Sequence, residues 1–343
     1  MSFAIKSSLP TVEDVIARLP LSPSNIRKKQ MLEEQLQSIL SGNDSRRLLI
    51  IGPCAADYED IALEYVRRLS LLQEEVKDKL FLLPRIYTAK PRSSLAGYTG
   101  MLYYPDPESE CNIADGITTA RKLHIRILQE YNMISADEML YLDLLPYIKD
   151  VISYFTVGAR SVENQVYSWM ASGLDVPVGF KNPRCGEVSK LVHAVVSASR
   201  PHVFSFGNNI VETTGNEFAH GILRGYSDAF GLMHSNYDSE TIHRFFDIVN
   251  NSSAKCSSLI VDCSHDNSGK NADKQAIICR NIIKQMKDEA DVAHFIKGLM
   301  VESYLVSGSR KTTAFEKGIS LVDDCIGWET TRSLVYQLAQ QLP

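Results

Sequence analysis

The sequence predicts an α/β fold, a (β/α)8 TIM barrel with an N-terminal arm and helix and a small β-hairpin inserted between strands five and six. Three observations predict it. Eight short apolar runs alternate with helical stretches over about 300 residues, a rhythm that suits a closed parallel barrel better than an open doubly wound sheet. No linker-like change in composition, low-complexity tract or repeat beyond that rhythm divides the chain. Each apolar run also leads into a polar or metal-capable residue, as expected where function sits at the carboxyl ends of barrel strands. The expected division is 1–45 for the arm and lead-in helix and 46–343 for the barrel.

The elements follow in order. Leu19 to Pro23 is a break, Asn25 to Leu40 alternates at helical spacing, and Gly42-Asn43-Asp44 ends that helix. The strand-like runs are Leu48–Gly52, Leu80–Arg85, Met133–Ala136 and Tyr154–Gly158. They continue as Val176–Phe180, Gly221–Leu223, Ser258–Asp262 and Gly298–Glu302. Helices are expected at Ala62–Lys77, Ile113–Glu130, Val162–Ser172, Asp273–Met286 and Thr331–Leu342. Val203–Phe206 and Asn209–Glu212 flank Gly207-Asn208, the signature of a tight hairpin.

Composition narrows the function. The 343 residues are 44% hydrophobic, enough for a large core, and the net charge of −5 argues against a general nucleic-acid or anionic-membrane surface. No apolar run approaches the roughly 20 residues of a membrane span, and the N-terminus lacks a signal-peptide core. Seven scattered cysteines without a C-x-x-C suggest reduced thiols and a cytoplasmic protein.

The strand ends carry the chemistry. In turn they offer Cys54, then Arg85 with Lys90 and Arg92, then Glu138, Arg160, Lys181, Arg224, His265 and Glu302. Pro91 stiffens the loop that holds Lys90 and Arg92. Two such cations about 6 Å apart repel by about 3 kcal/mol at an effective dielectric near 20, so several around one mouth imply a bound anion. Cys54, His265, Glu302 and Asp323 form a mixed soft and hard donor set suited to one divalent ion such as manganese, iron, cobalt or zinc. Each also has a plain structural use, Cys54 as a small buried residue and the carboxylates as helix N-terminal groups. Gly97–Gly100 and Ser307–Ser309 read as turns before phosphate cradles, and Trp328 as packing.

These residues fall in blocks that resemble the type I 3-deoxy-D-arabino-heptulosonate-7-phosphate (DAHP) synthases, first enzymes of the shikimate pathway. The blocks are Ile51–Cys54, Lys90–Arg92, Val157–Ser161, Ala171–Asn182, Gly221–Gly225, Asp262–Ser268, Met300–Ser303 and Asp323–Glu329. The resemblance implies a barrel enzyme that condenses phosphoenolpyruvate with erythrose 4-phosphate. Carried over, Arg85, Lys90, Arg160, Lys181 and Arg224 would hold phosphoenolpyruvate, and Arg92, with Lys90 and Ser93, the sugar phosphate. Cys54, His265, Glu302 and Asp323 would hold the metal; Lys90, Glu138, Lys181 and His265 would be the catalytic groups. It also implies a homodimer or homotetramer.

The chain departs from the family on the acceptor side. Ala55-Ala-Asp57-Tyr58 replaces Ser-Ile-His-Asp, Gly97-Tyr98-Thr99-Gly100 replaces Gly-Trp-Lys-Gly, and Pro183 replaces the glycine of Lys-Asn-Gly. A related aldose phosphate is therefore the alternative acceptor, and a non-catalytic regulatory paralog the alternative class. A short arm, a short hairpin and Asp175 predict weak or absent feedback inhibition by phenylalanine or tyrosine.

Overall fold

The computed structural model describes residues 4–92, 97–252, 258–310 and 316–342. Two helices precede the barrel. α1 (Val12–Arg18) is capped by Thr11, whose side chain accepts from Asp14 N. α2 (Pro23–Ser41) starts on a favourable first-turn proline behind Ser22 and ends at Gly42 with φ 78°, in the left-handed region that glycine enters without strain.

The barrel elements are β1 (Arg47–Gly52), α3 (Glu59–Val76), β2 (Leu80–Pro84), α4 (Ile113–Tyr131), β3 (Ala136–Glu138), β4 (Tyr154–Val157), α5 (Gln165–Ala171) and β5 (Val178–Lys181). They continue with α6 (Val188–Ala198), the pair β6 (Val203–Phe206) and β7 (Asn209–Glu212), β8 (Ala219–Leu223), and the pair β9 (Tyr226–Ser227) and β10 (Met233–His234). The remainder is α7 (Ser239–Asn250), β11 (Leu259–Asp262), α8 (Lys274–Asp288), α9 (Ala290–Phe295), β12 (Ile296–Glu302) and α10 (Trp328–Gln341). Eight strands run parallel in the order β2-β1-β12-β11-β8-β5-β4-β3. A bridge from Arg85 to Ala136 joins the ends of that order, with Ile86 N donating to Ala136 O at 2.9 Å. The expected barrel is present, and the hairpin β6–β7 pairs antiparallel over the residues read from the sequence.

Several element boundaries shift by a few residues, and two of the shifts have a plain physical reason. The third strand pairs over Ala136–Glu138 instead of Met133–Ala136, because Met133 and Ile134 are buried without joining the ladder. The fifth begins at Val178, since Pro177 has no N–H and contributes only its carbonyl, which accepts from Phe155 N. Between β3 and β4 stands only a 3-10 turn, Leu142–Tyr147, with Pro146 inside it.

Alternation along β1 divides the core. Leu48 and Ile50 face the barrel interior with Phe81, Leu83, Tyr154, Ile222 and Met300, whereas Leu49 and Ile51 face the outer helices. Leu36, Ile39 and Leu40 of α2 join the interior cluster and close one end of the barrel. Replacing one of these leucines by alanine costs about 2–5 kcal/mol. The opposite end is left for the strand termini. Among the described residues no helix is long and apolar enough to cross a membrane.

Candidate active site

A cavity of about 810 Å³ opens at the carboxyl ends of the strands. Glu138 and Lys181 reach it from the last residues of β3 and β5, and Arg85, Arg160, Arg224 and His265 from just beyond β2, β4, β8 and β11. Lys90 and Arg92 line it from the loop after β2, and Asp323 from beyond β12. Ser93 lies outside the described residues. Cys54 and Glu302 are buried beside Asp323.

The inner cations are held by carboxylates. Arg85 is fully buried, with Nη2 3.0 Å from Glu302 Oε1, Nη1 donating to the Pro53 carbonyl and the guanidinium 3.8 Å from the Tyr87 ring centre. Lys90 Nζ donates to Cys54 O at 3.3 Å and lies 4.0 Å from Glu302 Oε1. Burial opposes the Lys90 charge, but Cys54 and Glu302 outweigh it and raise the pKa. Lys181 Nζ is 2.8 Å from Asp262 Oδ2, yet burial prevails there and its pKa is lowered. Arg224 makes two bonds to Asp266, at 2.5 and 3.2 Å, while its Nε has no hydrogen-bond partner among the described residues. Unpaired buried donors of this kind are suited to a ligand's oxygens.

Cys54 Sγ, Glu302 and Asp323 bring one ligand atom each to within 4.8 Å of one another. Cys54 Sγ is 3.5 Å from Asp323 Oδ2. Burial, then the charge of Glu302, pushes the thiol up to about 12. Burial raises Glu302 too, but His265, Arg85 and Lys90 hold it well below the usual carboxylate range. A thiol and two carboxylates converging in this way fit a borderline divalent ion, with Arg85 and Lys90 touching the cluster through Glu302. His265 is not part of that close cluster. Its Nε2 lies 3.7 Å from Glu302 Oε1, and its Nδ1 sits 2.9 Å from Asp262 Oδ2. Burial holds the imidazole below its ordinary pKa against the pull of Asp262 and Glu302, the direction that favours the neutral form a metal ligand needs.

Glu138 is placed by its neighbours. Asp137 Oδ1 accepts its backbone N–H at 2.7 Å, and a Cβ on Gly158 would overlap its Oε1. Burial raises the Glu138 pKa against the pull of Lys90, Lys181 and Arg85, the direction useful for proton transfer.

Residues 24–335 match the model of the DAHP synthetase I family. The chain belongs to that family. It is 35% identical to the Phe-sensitive phospho-2-dehydro-3-deoxyheptonate aldolase of Escherichia coli K12, covering 98% of this chain and 94% of that protein. It is 34% identical to the phospho-2-dehydro-3-deoxyheptonate aldolase of Haemophilus influenzae, over 95% and 89%. The solved structure of the aldolase of the same name from Francisella tularensis SCHU S4 superposes with a TM-score of 0.91 at 30% identity, over 99% and 98% of the two chains. The activity is that of a DAHP synthase, at the first step of aromatic amino acid biosynthesis.

Sequence reasoning gave no roles to several residues of this synthase site. Asp262 and Asp266 stand inside a quoted block, but nothing in their spacing shows that they hold Lys181 and Arg224, 81 and 42 positions away. Ser264, donating to Glu302 Oε2 at 2.8 Å, was equally hidden. The β9–β10 hairpin was not read, because its strands are two residues long and carry no apolar run. It lines the cavity through Ser227, Asp228 and Met233.

Proposed function

We propose that this cavity joins phosphoenolpyruvate to the aldehyde of erythrose 4-phosphate, consuming water and giving 3-deoxy-D-arabino-heptulosonate 7-phosphate and inorganic phosphate. The observation that carries the reading is the sharing of one mouth by cations from separate strands and by the Cys54–Glu302–Asp323 cluster. Arg85, Lys90, Arg160, Lys181 and Arg224 receive phosphoenolpyruvate; Arg92, with Lys90 and Ser93, receives the acceptor phosphate. Cys54, His265, Glu302 and Asp323 hold one divalent ion. When bound, that ion supplies Lewis-acid polarisation of the aldehyde oxygen.

The chain's own groups account for the remaining steps. The methylene carbon of phosphoenolpyruvate forms a bond to the aldehyde carbon with its double-bond electrons, leaving positive character on the phosphate-bearing carbon, and Lys90, kept charged by its neighbours, donates a proton to the new alkoxide. Water adds at that phosphate-bearing carbon, oriented by Glu138 with Lys181, and Glu138 takes its proton. The hemiketal phosphate then loses phosphate by carbon–oxygen cleavage. The cations, already in place, stabilise the charge on both phosphates.

Phosphate release tests the reading. It should require both substrates, stop on chelation and return with a divalent ion; no release with erythrose 4-phosphate would overturn it. A related aldose phosphate is the second reading of the acceptor, favoured by Tyr98, whose hydroxyl donates to Ala56 O at 2.9 Å where the family has tryptophan. Better turnover of another aldose phosphate would select it. Retention of Lys90 and the donor cations supports an enzyme over a non-catalytic paralog.

Cytoplasmic location and assembly into a homodimer or homotetramer belong to the same proposal, and light scattering reads the assembly. Weak feedback inhibition is also proposed. Asp175 is exposed, its carbonyl accepts from Gln37 of α2, and with Glu33, Glu34 and Asp150 it outnumbers Lys29 and Lys149 along the same cleft. That acidic excess disfavours the carboxylate of an amino-acid effector.

A further inference from the structure

Arg184 has no place in the roles above, yet its side chain lines the active cavity. The loop that carries it follows β5 directly and is fastened to the β9–β10 hairpin. Gly186 N donates to Pro183 O, closing a turn, and Ser227 N donates to Arg184 O, both at 2.9 Å. Gly186 has φ 80° and lies against the Tyr226 ring, which occupies the space a Cβ would need. Tyr226 in turn stacks on His234, 5.0 Å between ring centres. The backbone of Arg184 is thus anchored on two sides, while its side chain is exposed at the mouth.

The inner cations Arg85, Lys181 and Arg224 each hold a carboxylate within 3.0 Å. Among the described residues, neither Arg184 nor Arg160 makes such an ion pair. The two guanidiniums feel one another: after burial, Arg184 is the largest influence holding Arg160 below the usual arginine value, and Arg224 adds to it. Arg92 belongs to another loop, with its Nε donating to Tyr98 O at 3.0 Å. Arg184 therefore groups with Arg160 and Arg224, on the donor side. Like charges facing one cavity, with Arg160 and Arg184 in no ion pair among the described residues, are relieved by a dianion, and a guanidinium fork matches phosphate oxygens.

We propose that Arg184 is a specificity-determining residue that receives the phosphate of phosphoenolpyruvate together with Arg160 and retains the departing inorganic phosphate. The proposal rests on the donor assignment above. Its consequence is a site that favours a doubly charged phosphate and is sensitive to product phosphate.

The test uses Arg184→Gln and Arg184→Lys in the metal-loaded enzyme, with steady-state kinetics in each substrate and inorganic phosphate as product inhibitor. For Arg184→Gln, the KM for phosphoenolpyruvate and the inhibition constant for phosphate should both rise about tenfold, as expected for losing one charge-assisted contact. The fall in kcat/KM should exceed the fall in kcat, the acceptor KM should stay within about twofold, and Arg184→Lys should recover part of the loss. Unchanged donor KM and phosphate inhibition would overturn the proposal, and so would a shift confined to the acceptor KM. If the wild-type enzyme released no phosphate from the two substrates, the functional reading would fail instead. Calorimetric titration of inorganic phosphate into wild type and Arg184→Gln would still decide the role of Arg184, equal affinity refuting it.

Discussion

His220 lies on β8 in the barrel wall with no exposed surface. Its Nδ1 is 2.8 Å from Phe218 O and its Nε2 2.7 Å from the Tyr154 hydroxyl. A neutral ring carrying its proton on Nδ1 satisfies both contacts, donating to the carbonyl and accepting from the hydroxyl. Burial lowers its pKa from 6.5 to about 4, with the Phe218 carbonyl a weaker opposing influence. Between those values the unfolded chain binds the proton that the folded chain refuses. The stability contribution is therefore complete above pH 6.5 and is lost as pH falls towards 4. Linkage gives about 2 kcal/mol lost between pH 7.5 and 5, and about 3.4 kcal/mol in full. His220→Gln removes the titration and costs about 1–3 kcal/mol at neutral pH through lost contacts. Urea unfolding of both proteins from pH 8 to pH 5 isolates the effect, because other titrating groups cancel in the difference. The wild type should lose stability faster than the variant below pH 6.5. Parallel slopes would refute the reasoning.

Other outcomes follow from the same geometry. Gly158→Ala should lower kcat by about a hundredfold, the scale of general acid–base help, with the KM for phosphoenolpyruvate changed far less, since the new methyl displaces the Glu138 carboxyl; an unaltered kcat in a folded variant contradicts that role for Glu138. Cys54→Ala should abolish turnover and reduce bound divalent metal in equilibrium dialysis; full loading would remove Cys54 from the ligand set. Lys90→Ala should abolish turnover while metal still binds, and near wild-type rates would show its role misassigned. Phenylalanine or tyrosine at micromolar concentration should leave the wild-type rate unchanged, whereas clear inhibition at that level contradicts the repulsion assigned to Asp175.

Much of the barrel was legible because burial on both faces leaves near-continuous apolar runs, such as Leu48–Gly52 and Gly298–Glu302. The β6–β7 hairpin was legible from Gly207-Asn208, a local turn signal. Pairing is not local, so Met133 and Ile134 looked like strand although they are only buried. Helices α6 and α7 were implied by the alternation but given no bounds, although α6 carries buried Leu191, Val192 and Val195 at helical spacing. In the site, the rim cations could be read because they end apolar runs. Their counter-ions Asp262 and Asp266 could not, since a charge pair across the barrel leaves no trace in spacing. Likewise, His265 could be read as a candidate donor, but its lean towards Asp262 arises from the turn after β11, where the residue adopts φ 50°.

The most direct test of the shared mouth is a crystal structure with manganese and phosphoenolpyruvate. Anomalous density should lie on Cys54, His265, Glu302 and Asp323, with the donor phosphate among Arg160, Lys181 and Arg224. An ion away from Cys54, or a phosphate outside those three cations, would contradict the account.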